Sequence, residues 1–297
     1  MLTVALGITS ALVAGAADFF GGIASKRLSP LRVTALAALS GLLLMLVASP
    51  FVAGVWSVEA MMWGALSGAA AAIAIALLYA CLAIGPMSIL SPLTAVISAA
   101  VPVTLGLLTG ALLHPIAYPA LGLALVAVVL VGIVPNDTAP GQVTARPTAR
   151  GLVMAVASGT MIGVFLILLD LTPEESGLIP LIFNRAGNGI VMCTLIAVAI
   201  VVARGKRTPK PAPVKTIGWR HKALTVALAA GLIDGVANIA LLAGMRVGDL
   251  TVISVLSALY PAGTIILAGI FLRERITRMQ LLGLILALVA AGLLALV

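Results

Sequence analysis

The stretch GDLTVISVLSALYPAGTIILAGIFLRERITRMQLLGLILALVAAGLLAL, residues 248–296, decides what kind of molecule this is. It holds two apolar runs, approximately 249–272 and 276–297, joined by a short basic turn with Arg273, Glu274, Arg275 and Arg278. A helix of about 20 apolar residues is long enough to cross the hydrocarbon core of a bilayer. The pattern is therefore two membrane spans meeting at a charged turn.

Eight more runs of this kind lie upstream, at approximately 3–24, 31–53, 60–84, 87–112, 115–134, 150–170, 177–203 and 222–246. The 297 residues are 62% hydrophobic and only 9% charged, against about 25% charged in a soluble domain. So little charge cannot cover a water-facing surface, and lipid must be the main solvent. The opening residues, MLTVALGITSALVAG, lack a basic n-region and run on to Asp18, which is expected for a retained first helix. Gly85-Pro86 and Gly248-Asp249 are tight turns between spans. The gap PNDTAPGQVTARPTA, 135–149, reads as a linker, and the basic, Pro-rich gap 204–221 as a solvated loop.

The net charge of +8 does not point to nucleic acid, because no basic patch is interleaved with aromatics. Instead, 15 of the 17 Lys and Arg residues fall in the gaps after spans 1, 5, 7 and 9; the other two are Arg185 and Arg246. The positive-inside rule assigns those gaps to the cytoplasm, so with ten spans both termini face outward. Cys81 and Cys193 lie inside apolar runs and read as packing residues, with no metal or disulfide role.

The chain repeats itself. Residues 67–96 align without gaps on 230–259, pairing Gly68 with Gly231, Leu78 with Leu241, Ala80 with Ala243, Gly85 with Gly248, Ser91 with Ser254, Leu93 with Leu256 and Ala95 with Ala258. At the start of each half, Gly7, Ala11 and Gly15 pair with Gly151, Ala155 and Gly159. The expected organisation is a first five-helix repeat over 1–134, a linker over 135–149 and a second repeat over 150–297. An odd number of spans per unit gives consecutive copies opposite orientations, and such inverted repeats are typical of transporters with a midplane site. The expected fold class is thus an all-α membrane protein of ten transmembrane helices, two inverted repeats around a central cavity.

Leu259-Tyr260-Pro261, the Glu274-Arg275 turn, and Gln280 with Gly283 resemble the EamA family of the drug/metabolite transporter superfamily. The first half carries a worn copy, GPMSILSPLTAV followed by LLHP, and the opening GAADFFGGIASKR is similar to a bacterial subgroup. The resemblance implies a ten-helix bundle in the bacterial inner (cytoplasmic) membrane that moves small metabolites or drugs, often outward. It also implies cytoplasmic termini, opposite to the charge count, and the count is followed here.

A charged side chain at mid-membrane costs about 2.5–3.5 kcal/mol on the insertion scale, which cancels roughly six good apolar residues. Three such groups lie well inside spans: Asp18, Arg185 and Asp234. In FNRAGNG, Asn184 and Asn188 share one helix face and Arg185 lies three residues from Asn188. Asp234 is followed one turn on by Asn238. The expected substrate-binding set is Arg185, Asn184, Asn188, Asp234, Asn238, Tyr79 and Tyr260. Asp234 and Asp18 are the candidate coupling acids, with protons as the ion, since burial favours the neutral form of a carboxyl group. The competing reading is a buried Asp234–Arg185 pair that only locks two helices. Gly64/Gly68, Gly106/Gly110, Gly159/Gly163 and Gly231/Gly235 are spaced for close helix packing, and Pro92, Pro102, Pro180 and Pro261 for kinks or breaks.

An Arg with carboxylates in an apolar cavity suits a zwitterion, so the leading reading is a secondary transporter, in the exporting direction, for small metabolites such as amino acids. Export of lipophilic cations is the alternative, but aromatics are only 4% of the chain. A membrane-embedded enzyme is disfavoured, because His114 and His221 are isolated and there is no HExxH, DxxD or GxSxG. No cofactor is expected. The partners are the lipid bilayer and a small-molecule substrate, and the protein is a monomer or homodimer.

Overall fold

The computed structural model describes residues 1–25, 27–84, 87–110, 115–132, 148–205, 217–271 and 278–295. Among these the chain is all helical. Eleven α-helices follow one another: α1 (Leu2–Ser25), α2 (Pro30–Ala48), α3 (Val58–Ile84), α4 (Met87–Leu108), α5 (Ala117–Gly132), α6 (Ala149–Asp170), α7 (Ile179–Gly205), α8 (Ile217–Val247), α9 (Leu250–Ser257), α10 (Tyr260–Phe271) and α11 (Arg278–Ala295). Six stretches, in α1, α2, α3, α6, α7 and α8, are long and apolar enough to cross a membrane, which makes this a multi-pass membrane protein. The linker 135–149 and the basic loop 204–221 lie mostly outside the described residues.

Local chemistry starts several helices. Pro30 occupies the first turn of α2, where its missing N–H costs nothing. The Thr148 hydroxyl accepts from Gly151 N at 3.1 Å to open α6, and the Asp249 carboxylate accepts from Thr251 N at 2.7 Å to open α9. The expected span over 249–272 is not one helix. It breaks at Ala258–Leu259, just ahead of Pro261, whose ring nitrogen cannot donate to the preceding turn. Shorter-range bonds replace the ladder there, with Leu259 N donating to Leu256 O and Ala262 N to Leu259 O.

Polarity runs from outside to inside in the sense a membrane demands. Leu39, Leu43 and Leu46 of α2 and Val198 and Val201 of α7 are exposed, whereas Ser67, Ser98, Ser158, Asn184, Arg185 and Asn188 are buried. Helix α1 packs on α8 and α10, α3 on α6 and α7, α4 on α6, α2 on α7 and α8, and α5 on α11. Small residues make the seams. Gly68 lies against the Asn184 backbone and Gly64 against Pro180 where α3 crosses α7; Gly231 lies against Ala37 and Ser40 where α8 crosses α2. Gly159 and Gly163 seat α6 on Thr94, Ile97 and Val101 of α4. Gly110 differs from the packing expectation: it follows the end of α4 in the left-handed region, at φ 85°, and a Cβ there would meet nothing within 4 Å among the described residues.

A methyl group at Gly68 would sit 2.7–2.8 Å from the Asn184 backbone, closer than packed carbons approach. Gly68→Ala is expected to destabilise the detergent-solubilised protein by about 1–3 kcal/mol, as overpacking does. Gly189→Ala, where nothing lies within 4 Å, leaves it unchanged. Thermal unfolding of the two purified variants checks this.

Candidate functional site

The seam between α3 and α7 delivers the polar face of α7 to the middle of the bundle. Because Gly68 has no side chain, Asn184 lies close enough to α3 for its Nδ2 to donate to the Ser67 hydroxyl at 2.8 Å. Ser67 in turn donates to Gly64 O at 2.7 Å. One residue on, Arg185 extends toward α8, where its Nη2 meets Asp234 Oδ2 at 2.6 Å. The Asp234 carboxylate is also held from its own helix, since Asn238 Nδ2 donates to Asp234 Oδ1 at 3.2 Å and to the Asp234 carbonyl at 2.8 Å. Helix α2 makes room for the arginine: a Cβ at Gly41 would lie 3.2 Å from both Cδ and Nε of Arg185.

The pair is unequally buried, with 6% of the Arg185 side chain exposed and 32% of Asp234. Asp234 therefore faces open space, a cleft lined from α1, α3, α6, α7 and α8. One wall is polar: Asp18 from α1, Asn184, Arg185 and Asn188 from α7, and Asp234 and Asn238 from α8. The other is apolar: Ala71, Ile75 and Leu78 from α3 and Ile162, Phe165 and Leu166 from α6. Ser257 and Tyr260, at the break between α9 and α10, complete the lining. Two groups on the polar side are unsatisfied: Arg185 Nε and Asn188 Oδ1 are buried without a hydrogen-bond partner among the described residues. Asp18 has neither an ion pair nor a hydrogen bond there. Such groups are costly in an apolar bundle unless something else pairs with them.

The residues singled out in the sequence mostly meet here. Arg185, Asn184, Asn188, Asp234, Asn238, Tyr260 and Asp18 line one cleft. Tyr79 does not: it is buried between α3 and α1 with its hydroxyl against Gly21. Ser67, Gly41 and the apolar wall went unnoticed in the sequence. Gly41 and Ser67 look like any small residue of a packed helix, and Ile162 and Phe165 like any apolar ones. No group of three or more His, Cys, Asp or Glu residues is arranged for a metal among the described residues.

The family model of the EamA-like transporter family matches residues 149–296. No curated protein matches the sequence. Among solved structures 27 chains match. One of these, described as "Crystal structure of protein", superposes with a TM-score of 0.67 at 18% identity, covering 99% of this chain and 96% of its own. At that identity the likeness shows a shared fold.

Removing one partner of a buried pair strands the other, whereas removing both does not. Arg185→Met and Asp234→Leu should each lower the melting temperature, and the double variant should lower it by less than the sum of the two losses. The expected coupling is about 1–3 kcal/mol. A thermal double-mutant cycle measures it.

Proposed function

Because the chain belongs, through residues 149–296, to the EamA-like transporter family, we propose that it is a secondary transporter exporting small zwitterionic metabolites, such as amino acids, by alternating access. The observation that carries this reading is the cleft with one guanidinium and two carboxylates on one wall and apolar side chains on the other. A zwitterion matches it group for group. Its carboxylate competes with Asp234 for Arg185, an exchange of one carboxylate for another at a bidentate donor. Its ammonium group satisfies Asp18 and the unpaired Oδ1 of Asn188. Its side chain lies against Ile75, Ile162 and Phe165. The sequence has no nucleotide-binding loop, so the proposed drive is an ion gradient or the gradient of the substrate itself. Asp18 and Asp234, both on the cleft wall, are the proposed coupling acids.

The architecture proposed with it is two inverted five-helix repeats, 1–134 and 150–297, joined by 135–149 and counted as ten spans with α9 and α10 as one broken span. Packing supports this. Exchanging the halves turns the α1–α8 contact into α6–α3, α2–α8 into α7–α3, and α1–α10 into α6–α4, all of which exist. The cleft repeats the pairing of the sequence alignment: Ala71, Ala74, Ile75 and Leu78 of α3 correspond to Asp234, Ala237, Asn238 and Leu241 of α8, and all eight line it. Glycines paired by sequence meet paired partners, Gly15 at the Tyr260 carbonyl and Gly159 at Ile97. The start of α1 lies beside the end of α8, where the Thr3 hydroxyl donates to Val247 O at 3.1 Å, as antiparallel neighbours do. With the Lys/Arg bias this gives external termini in a bacterial cytoplasmic membrane.

Proteoliposomes loaded with amino acids, under an imposed pH gradient, test the function. Arg185→Ala and Asp234→Asn are expected to cut flux by at least about tenfold, the cost of roughly one charged hydrogen bond, without loss of reconstituted protein. Asp18→Asn is expected to lose the pH-gradient drive. Full flux in all three variants sinks the site. A C-terminal fusion tests the topology: activity of a cytoplasm-only reporter there overturns external termini.

A further inference from the structure

One polar cluster lies outside the cleft. At the end of α8, Arg246 reaches across to the turn that follows α6. Its Nη1 donates to the Thr172 carbonyl at 2.8 Å and its Nη2 to the Thr172 hydroxyl. That hydroxyl also donates to Leu169 O at 2.7 Å. Thr172 is buried, 3% exposed. The same turn is held from a third segment. Val55 N, in the connection between α2 and α3, donates to Glu175 O at 2.8 Å. Gly177 adopts φ 54° against Ala53 O, an approach that a side chain would block. Carboxylates surround the arginine, with Asp170, Glu174 and Glu175 within electrostatic reach.

Its place in the fold gives the cluster a task. Helices α6 and α8 both line the cleft, and at its edge Leu166, Leu169, Leu241, Leu242 and Met245 join Met45, Leu181, Ile182 and Ile253 in one apolar cluster. Arg246 follows Leu241 by five residues, about 7–8 Å along the helix axis. It therefore ties the end of α8 to the turn after α6 just past that apolar cluster, on the face where α1 begins and α8 ends. Three connections are tied together there. The positions corresponding to Arg246 and Thr172 in the other half are Ala83 and Leu28, which have no side-chain donor or hydroxyl to make the same bonds.

We propose that Arg246 and Thr172 form the latch of the gate on this face, so that the cleft opens there only when the end of α8 leaves the turn after α6. The proposal rests on the transporter reading, but it is read out without any substrate.

The test is cysteine accessibility in oriented vesicles, in a Cys81→Ala, Cys193→Ser background. Ser10→Cys, on the cleft wall, reports opening, and the exposed Val58→Cys at the start of α3 reports that the face is reachable. The probe is a membrane-impermeant sulfonated maleimide applied from the Val58 face. With the latch intact, Ser10→Cys labels slowly. Arg246→Ala is expected to speed it about tenfold, equivalent to about 1.4 kcal/mol in the opening equilibrium. Thr172→Val, which removes the hydroxyl and keeps the carbonyl bond, speeds it by a smaller factor, as does Arg246→Lys, which keeps the charge but lacks the planar fork that holds the carbonyl and the hydroxyl together. Unchanged Ser10→Cys labelling in Arg246→Ala and Thr172→Val, with Val58→Cys labelling as before, overturns the latch. If Arg246→Ala fails to fold, Thr172→Val decides alone. Amino-acid counterflow in the same vesicles separates the two readings. No counterflow in the latch-intact protein, with a labelling shift in Arg246→Ala, condemns the transport assignment and keeps the latch; counterflow in the latch-intact protein without a labelling shift in the variants does the reverse.

Discussion

The charge of Arg185 has to be met inside an apolar bundle, and much of the central structure follows from how it is met. An isolated guanidinium at this depth is expensive. The carboxylate that offsets it comes from another helix, so α7 and α8 must present Arg185 and Asp234 to each other within hydrogen-bond reach. This fixes the rotation of both helices and brings their remaining polar groups, Asn184, Asn188 and Asn238, to the same wall. The pair thus both locks two helices and lines the cleft; burial of Arg185 serves the first role and exposure of Asp234 the second.

Such a pair needs helices that approach closely, and the glycines supply that. Gly68 and Gly231 are paired by the sequence alignment, and each removes a side chain at an equivalent crossing, α3 on α7 and α8 on α2. Gly41 does something different: it leaves a slot for the arginine stem. The small residues set the spacing and the charged ones set the register. Neither would hold the centre alone, because backbone contact is indifferent to which polar groups meet.

The sequence showed the charged centre and hid its surroundings, for physical reasons. Arg185, Asp234 and Asp18 stand out because ionisable residues are rare in spans and must face something. Asn184, Asn188 and Asn238 followed from helical spacing to those charges. Pro261 announced a break, since proline cannot serve the preceding turn, and the break is there. A phenol within a span is polar, which predicts Tyr79 at the cleft, but the rotation of α3 turns it to Gly21. That rotation is set by contacts with α1, α6 and α7 that no local pattern encodes. The apolar wall was invisible for the same reason: Ile162 and Phe165 differ from lipid-facing residues only in what happens to lie opposite them.

The break at Ala258–Leu259 has an electrostatic consequence. A continuous span carries its partial charges only at its two ends, near the water on either side. Here α9 ends and α10 begins beside the cleft, at Ser257, Ala258 and Tyr260. The peptide dipoles of α9 therefore bring partial negative charge to mid-bundle, and those of α10 bring partial positive charge a residue or two away. The corresponding helix of the first half, α4, runs unbroken from Met87 to Leu108 and brings neither. The cleft thus sits in a field made partly by backbone, on one side only. Side-chain substitution can retune the charges of Asp18, Arg185 and Asp234, but that backbone contribution persists for as long as Pro261 keeps the span divided.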